Sequence, residues 1–400
     1  MKVLVINAGS SSLKYQLIEM DNEQVICKGN CERIGAGGFI THSVTGGAKI
    51  EKKMDFPTHK EAFLEVVKQM TSGEGKVIDD VSEIVAVGHR VLHGSEIYKQ
   101  STLVTDEVID TIYDLRELGP LHNPPQAIAM RACREVFGPD VPMVAVFDTS
   151  FHQTMPPKSY IFPIPYEYYE KYSIRRYGFH GTSHRYVSKR FFELRGIDPE
   201  GTRIITCHLG NGSSLCAIMD GKCFDTSMGL TPLDGFIMGT RSGGIDPSVV
   251  TYIANKEGLT PDQLSDLMNK KSGFLGVSGV SSDCRDIRQA AKEGNERAQL
   301  TVDILVHQIK RFLGGYAAEM GGVDAVIFTG GIGENDAETR EAICEGMEYM
   351  GLKISKELND EASRKEAVFS TPDSKVLAMV LPTNEEIMIA RDTLEVAGLK

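Results

Sequence analysis

The chain lacks several features, and each absence removes a class of protein. No apolar run is long enough to cross a bilayer. The N-terminus has one Lys, four apolar residues and then a polar turn, too short for the apolar core of a secretion signal. There is no low-complexity tract. Positive charge is in deficit, with 43 Lys and Arg against 55 Asp and Glu and a net charge of −12. That balance argues against a general nucleic-acid or anionic-membrane surface, so any anionic ligand must be held by local cations. Cys-x-x-Cys is also absent, and the eight cysteines stand singly at 27, 31, 133, 207, 216, 223, 284 and 344. They read as reduced core residues of a cytoplasmic protein rather than a metal cluster or disulfide framework. A Gly-x-x-x-x-Gly-Lys-Ser/Thr loop is missing as well.

What is present is enough chain, 400 residues and 41% hydrophobic, for two domains with proper cores. The opening stretch carries the first signal. Val3, Leu4, Val5 and Ile6 suit a strand buried on both faces, and Asn7-Ala8-Gly9-Ser10-Ser11-Ser12 ends it in a tight turn of small polar residues. Lys14 follows in a second strand pattern. Such a turn can bring backbone N–H groups and the Ser10 and Ser12 hydroxyls to phosphate oxygens, with a cation nearby. Taken alone, the stretch reads better as an ordinary Ser-rich hairpin. The pattern recurs, however, at Ile204-Ile205-Thr206-Cys207-His208-Leu209-Gly210-Asn211-Gly212-Ser213-Ser214. Placing Asn7 on His208 puts Gly9 on Gly210. Two matching strand–turn–strand units predict a duplicated domain with a phosphate loop in each half, the geometry of a kinase or ATPase.

The rest of the chain is consistent with alternating strands and helices. A third strand is expected over 25–29, loops with a further hairpin over 35–55, and a helix over 60–70. A buried strand over 84–87 leads into Gly88-His89-Arg90-Val91-Leu92-His93-Gly94. Thr105 caps an amphipathic helix stopped by Gly119-Pro120, and Leu121-His122-Asn123-Pro124-Pro125 reads as a rigid loop before a helix over 126–137. A strand over 141–147 places Asp148 at its C-terminal end, where open α/β sheets bind ligands. The Pro- and Tyr-rich stretch 151–182 reads as irregular, and the domain boundary is placed near 150. The second half repeats the meander over 203–225. Helices follow near 247–257, 261–270, 284–293 and 296–320. A strand over 323–328 then leads into Thr329-Gly330-Gly331-Ile332-Gly333-Glu334-Asn335. A last helix starts after Thr383-Asn384-Glu385-Glu386.

Arg90 and Arg241 lie in Gly-flanked loops of opposite halves, and guanidinium forks match phosphate and carboxylate oxygens. His180, in Gly-Phe-His-Gly, is positioned to donate to a transferring phosphoryl oxygen, with a structural role as the alternative. His89, His93, His122 and His184 are read as structural or supporting. Asp148 and a glutamate of Asn384-Glu385-Glu386 are candidate Mg²⁺ holders; a strand-end cap and a helix-dipole charge are the alternatives. Gly330-Gly331-Ile332-Gly333 is no Rossmann fingerprint; it is either flat backbone for a purine or a plain strand–helix loop.

Over essentially the whole chain these residues resemble the acetate kinases, within the acetate and sugar kinase–Hsp70–actin superfamily. The segment from Val3 to Lys14 is similar to the family's first signature, and the segment from Cys207 to Ser214 to its second. The resemblance implies two actin-like (ribonuclease H-like) α/β domains, each a mixed five-stranded sheet flanked by helices, with the active site in the interdomain cleft. Residues 1–150 with 385–400 would form one domain and 151–384 the nucleotide-binding other. It implies reversible phosphoryl transfer from ATP to acetate, giving acetyl phosphate and ADP, with Mg²⁺ (Mn²⁺ as substitute) at Asn7 and Glu385. Asp148, His180 and Arg241 would be catalytic. Arg90 would clamp the carboxylate, and Leu92, Leu121, Phe179 and Pro232 would line the methyl pocket. Leu92 replaces the family's common valine, which should disfavour longer acids. Lys14, His208, Leu209, Gly210, Asn211, Gly212, Asp283, Cys284, Arg285, Gly331, Ile332, Gly333, Glu334 and Asn335 fall on nucleotide-binding segments. A cytoplasmic homodimer is implied, with no nucleic-acid or membrane partner. A propionate or other short-chain acyl kinase is the near alternative, and a nucleotide-switched binding protein of the actin or Hsp70 kind the distant one.

Overall fold

Period-2 runs rich in Val, Ile and Leu become strands, and in the computed structural model, which describes residues 1–400, they build two sheets. One compact unit comprises Met1–Phe151 with Asn384–Lys400, the other His152–Thr383.

The first unit contains β1 (Lys2–Ala8), β2 (Ser12–Glu19), β3 (Gln24–Glu32), β4 (Gly38–Val44), β5 (Lys49–Met54), β6 (Ile84–Val91), β7 (Thr102–Leu103) and β8 (Met143–Phe147). Their order is β5-β4-β3-β2-β1-β6-β8-β7. The second contains β9 (Arg203–Leu209), β10 (Ser213–Met219), β11 (Lys222–Thr226), β12 (Ala325–Thr329), β13 (Ala367–Val368) and β14 (Leu377–Val380), in the order β11-β10-β9-β12-β14-β13. Within these sheets, β3-β2-β1-β6-β8 and β11-β10-β9-β12-β14 match strand for strand. In each, the first three strands are antiparallel and the last two run parallel to the third. This is the ribonuclease H-like, actin-like arrangement. The sheets are wider than the expected five strands because the Gly-rich 35–55 region folds as the edge hairpin β4–β5, while β7 and β13 add short outer strands.

Flanking helices cover the apolar faces. His59–Thr71 buries Phe63, Val66 and Met70, and Thr58 closes its N-terminus with a capping box through Glu61. Burying a side chain such as Phe63 contributes roughly 1.5–3 kcal/mol. The helix Asn123–Phe137 starts three residues before its expected position, so Pro124 and Pro125 lie inside its first turn rather than in a loop. Proline is tolerated there because the first-turn N–H groups have no helical partner. The stretch 151–182 is less irregular than its composition suggests, with short helices at Pro157–Tyr160 and Glu167–Tyr172. The Gly-rich segment after β12 winds into one short helix, Gly330–Asn335, instead of lying flat.

Gly88 joins packing to the candidate site. A Cβ there would stand 2.4 Å from Thr393 Oγ1 and 2.6 Å from Ile389 Cγ2, so its absence lets the C-terminal helix Glu385–Val396 lie against β6. Gly88→Ala is expected to lower stability by about 1–3 kcal/mol through overpacking. An unchanged urea midpoint would show that the helix yields freely.

Candidate active site

In the first unit the charged groups gather at the C-terminal ends of the parallel strands. Arg90, at the end of β6, donates from Nε to Asp148 Oδ1 at 2.9 Å and from Nη2 to Asp148 Oδ2 at 2.8 Å. Asp148 follows β8, and its backbone N–H extends the ladder to the Val91 carbonyl at 2.9 Å. The carboxylate is fully buried. The first turn of the C-terminal helix brings Glu385 Oε2 to 3.8 Å from Arg90 Nε. Burial alone would lower the Arg90 guanidinium, but Asp148 and Glu385 override it and raise it. Burial likewise lifts the Glu385 carboxyl to about 7, Arg90 opposes the shift, and Asp148 and Glu386 add to it. Three acids thus converge on one guanidinium with only Lys14 to assist, a donor set with room for a further cation.

Asn7 stands at the end of β1, paired across the hairpin with Lys14. The turn between them is braced by Gly9 N–H donating to the Ser12 carbonyl at 2.8 Å. Behind it, His59 Nε2 lies 2.7 Å from the Gly9 carbonyl, so that nitrogen carries the proton. Ser10 and Lys14 remain exposed. His59 escaped the sequence reading because it lies fifty residues away in a helix. Leu92 is buried in this unit, whereas Leu121 is 47% exposed.

In the second unit His208 pairs with Ser214 across β9–β10, as Asn7 pairs with Lys14. His180 caps the helix Gly181–Arg195 with a left-handed φ of 59°. Its ring stacks on His208 at 4.2 Å between centroids, and its Nδ1 lies 2.8 Å from Ser214 Oγ. Ser214 Oγ also meets His184 Nε2 at 2.8 Å, and Ser183 Oγ meets His208 Nδ1 at 2.8 Å. Burial holds His184 well below its ordinary value, reinforced by His152 and His208. The supporting reading of His184 fits this network; Ser183 and Ser214, which complete it, gave no chemical signal of their own in the sequence.

Arg241 lies across the same turn. A Cβ on Gly212 would sit 3.3 Å from Arg241 Nη1 and 3.5 Å from His180 Nε2, so both candidates flank one glycine. Arg241 donates from Nη1 to the Pro232 carbonyl at 3.1 Å and approaches Met238 Sδ at 3.8 Å, with no carboxylate in ion-pair range. Burial pushes its guanidinium down. Arg90 is matched by an acid; Arg241 is not. Phe179 is buried and Pro232 half-buried.

A cavity of about 860 Å³ opens beside the β9–β10 turn, lined by Gly210, Asn211, Asp283, Cys284, Arg285, Gly331, Ile332 and Asn335 among others. Its volume lies in the range of small-molecule sites, roughly 300–1,000 Å³. The remaining nucleotide candidates do not line it. Leu209 is core, and the Gly333 carbonyl accepts from buried Arg340 at 2.9 Å. Glu334 Oε1 accepts from Gly330 N–H at 2.9 Å and Thr383 N–H at 3.2 Å. Asp283 caps the helix Cys284–Lys292 and pairs with exposed Arg285, while burial pushes the Cys284 thiol up to about 12. Arg288, Lys292 and Arg364 also line the cavity and went unnoticed, because surface-pattern cations carry no motif.

A matched pair of such units, with an arginine and a histidine poised over a glycine turn, defines an enzyme of the phosphotransferase class. The family model described as the acetokinase family matches residues 2–391. An acetate kinase of Thermoanaerobacter pseudethanolicus is 55% identical across 100% of both chains, and one of Methanosarcina thermophila is 54% identical across 99% of this chain and 97% of its own. Among solved structures, an acetate kinase of Porphyromonas gingivalis superposes with a TM-score of 0.94 at 47% identity, covering 99% of each chain. A propionate kinase of Francisella tularensis superposes at 0.92 with 38% identity and the same coverage. The chain belongs to the acetokinase family, and its co-substrate is ATP or ADP.

Proposed function

We propose that this chain transfers the γ-phosphoryl group of ATP reversibly to acetate, giving acetyl phosphate and ADP by direct in-line displacement. The observation that carries the reading is Arg241, a half-buried guanidinium beside His180 and Gly212 with no acid to neutralise it. A carboxylic acid titrates near ~4–5, so acetate is already ionised at neutral pH and needs no general base. The barrier is the approach of one anion to another, and positioned positive charge lowers it. Arg241 and His180 stabilise the phosphoryl oxygens. Arg90, held by Asp148 through Nε and Nη2, offers Nη1 to the carboxylate, so Asp148 orients the arginine rather than taking a proton. The cavity beside Gly210 and Gly331 receives the nucleoside, with Ile332 as its apolar wall.

Mg²⁺, with Mn²⁺ as substitute, fits the acid-rich end of the first unit, where Glu385 and Asn7 would hold it. When bound it neutralises phosphate charge. A cytoplasmic homodimer is part of the proposal; no helix is long and apolar enough to cross a membrane.

Trapping acyl phosphate as hydroxamate from a panel of short acids tests the reading. Acetate-dependent product is expected, whereas ATP turnover indifferent to added carboxylate would favour a nucleotide-switched binding protein. In the same assay Leu92→Ala is expected to raise kcat/KM for propionate relative to acetate. The gain is limited to about 1–3 kcal/mol, the worth of one methylene in an apolar pocket. An unchanged ratio removes Leu92 from selectivity.

A further inference from the structure

Three buried soft-ligand groups lie together in the second unit, outside the machinery described above. Cys223, on β11, pairs across the hairpin with Ile218 on β10, and period-2 alternation puts Cys216 on the same face. Their sulfurs stand 3.5 Å apart. His152, from the turn that enters this unit, closes over them. Its Nδ1 lies 3.1 Å from Cys223 Sγ and 3.9 Å from Cys216 Sγ. All three side chains are at most 1% exposed. The turn is itself pinned, with Thr154 Oγ1 donating to the Cys223 carbonyl at 2.8 Å.

The orientation of the ring matters most. His152 Nε2 lies 3.0 Å from the Phe179 carbonyl oxygen. A carbonyl can only accept, so Nε2 carries a proton, and Nδ1 is the ring nitrogen turned toward the two sulfurs. A ligating histidine is oriented in just this way, its second nitrogen donating to a backbone carbonyl. In tetrahedral zinc coordination, sulfur and nitrogen ligands lie roughly 3.5–3.8 Å from one another, and each separation here is within about 0.4 Å of that geometry.

We infer that His152, Cys216 and Cys223 form a buried site for one Zn²⁺ ion. Loading is balanced: Zn²⁺ displaces the two thiol protons to water and binds two thiolates and a neutral imidazole. The product carries no net charge, which suits a dry interior. Such an ion would tie the β10–β11 hairpin to the carbonyl of Phe179, the residue immediately before His180. His152 is then a positioning residue for the turn that holds His180 at its left-handed φ.

Elemental analysis of the full chain, purified in reductant without chelator, is expected to find one Zn²⁺ per chain that survives dialysis against EDTA. Refolding in Co²⁺ should produce sulfur-to-cobalt charge-transfer absorption in the near ultraviolet, with intense tetrahedral d–d bands. Both signatures should vanish in Cys216→Ser and Cys223→Ser. Should those variants fail to fold, the cobalt spectrum of the unaltered chain decides alone. Folded chain with no stoichiometric zinc and no charge-transfer band after refolding with excess Co²⁺ overturns the proposal, as does a Cys216–Cys223 disulfide found by mass spectrometry.

Discussion

Arg241→Ala is expected to lower kcat by about 10³-fold or more, the loss typical of an arginine that meets a transferring phosphoryl group. The structural basis is the absence of any competing acid: Arg241 is held by a carbonyl and a thioether, so its charge is available to substrate. The side chain stabilises charge rather than the fold, so the urea midpoint should move little. KM for acetate should move less than kcat, because the interaction strengthens as the phosphoryl group leaves. A loss below tenfold would remove Arg241 from the mechanism.

The second large effect concerns Arg90 and Asp148, and it separates stability from chemistry. Arg90→Ala leaves a fully buried carboxylate beside Glu385 with its principal partner gone, and is expected to cost about 3–5 kcal/mol. Arg90→Met combined with Asp148→Leu removes both charges while keeping volume. That double variant should recover most of the lost stability, since buried ion pairs are often no more stabilising than apolar groups of the same shape. Activity on every carboxylate should nevertheless stay at background. Substantial turnover by the double variant would remove Arg90 as the carboxylate clamp. An Arg90→Ala midpoint equal to that of the unaltered chain would contradict the buried pair.

Much of this was legible in the residues. The strand–turn–strand at Asn7 and its echo at His208 are local patterns, and the two sheets share strand order and cross-strand register at those positions. The turns that carry His180 and Arg241 were legible because turn chemistry is written in consecutive residues, whereas Arg90, expected in a Gly-flanked loop, lies in β6, which runs on to Val91 as it pairs with β8. Boundaries were harder. Asn123–Phe137 began early because proline in a first helical turn looks like a loop, and the hairpin expected within 35–55 proved to be an edge extension of the sheet, β4–β5. Leu209, Gly333 and Glu334, also nucleotide candidates, lie outside the cavity lining, one in the core and two in contacts with buried Arg340 and with backbone N–H groups.

Sequence alone settled the duplicated α/β plan, the family resemblance and the residue types available for phosphoryl transfer, because strand periodicity and turn composition are short-range properties. Only the tertiary structure decided which side chains meet. It gave Asp148 to Arg90 and left Arg241 without an acid. It let Glu385 reach the end of β6 over Gly88, and brought His152 onto two cysteines more than sixty residues away. Contacts of that kind arise from long-range packing, where shape and burial choose the partner and spacing along the chain carries no record of it.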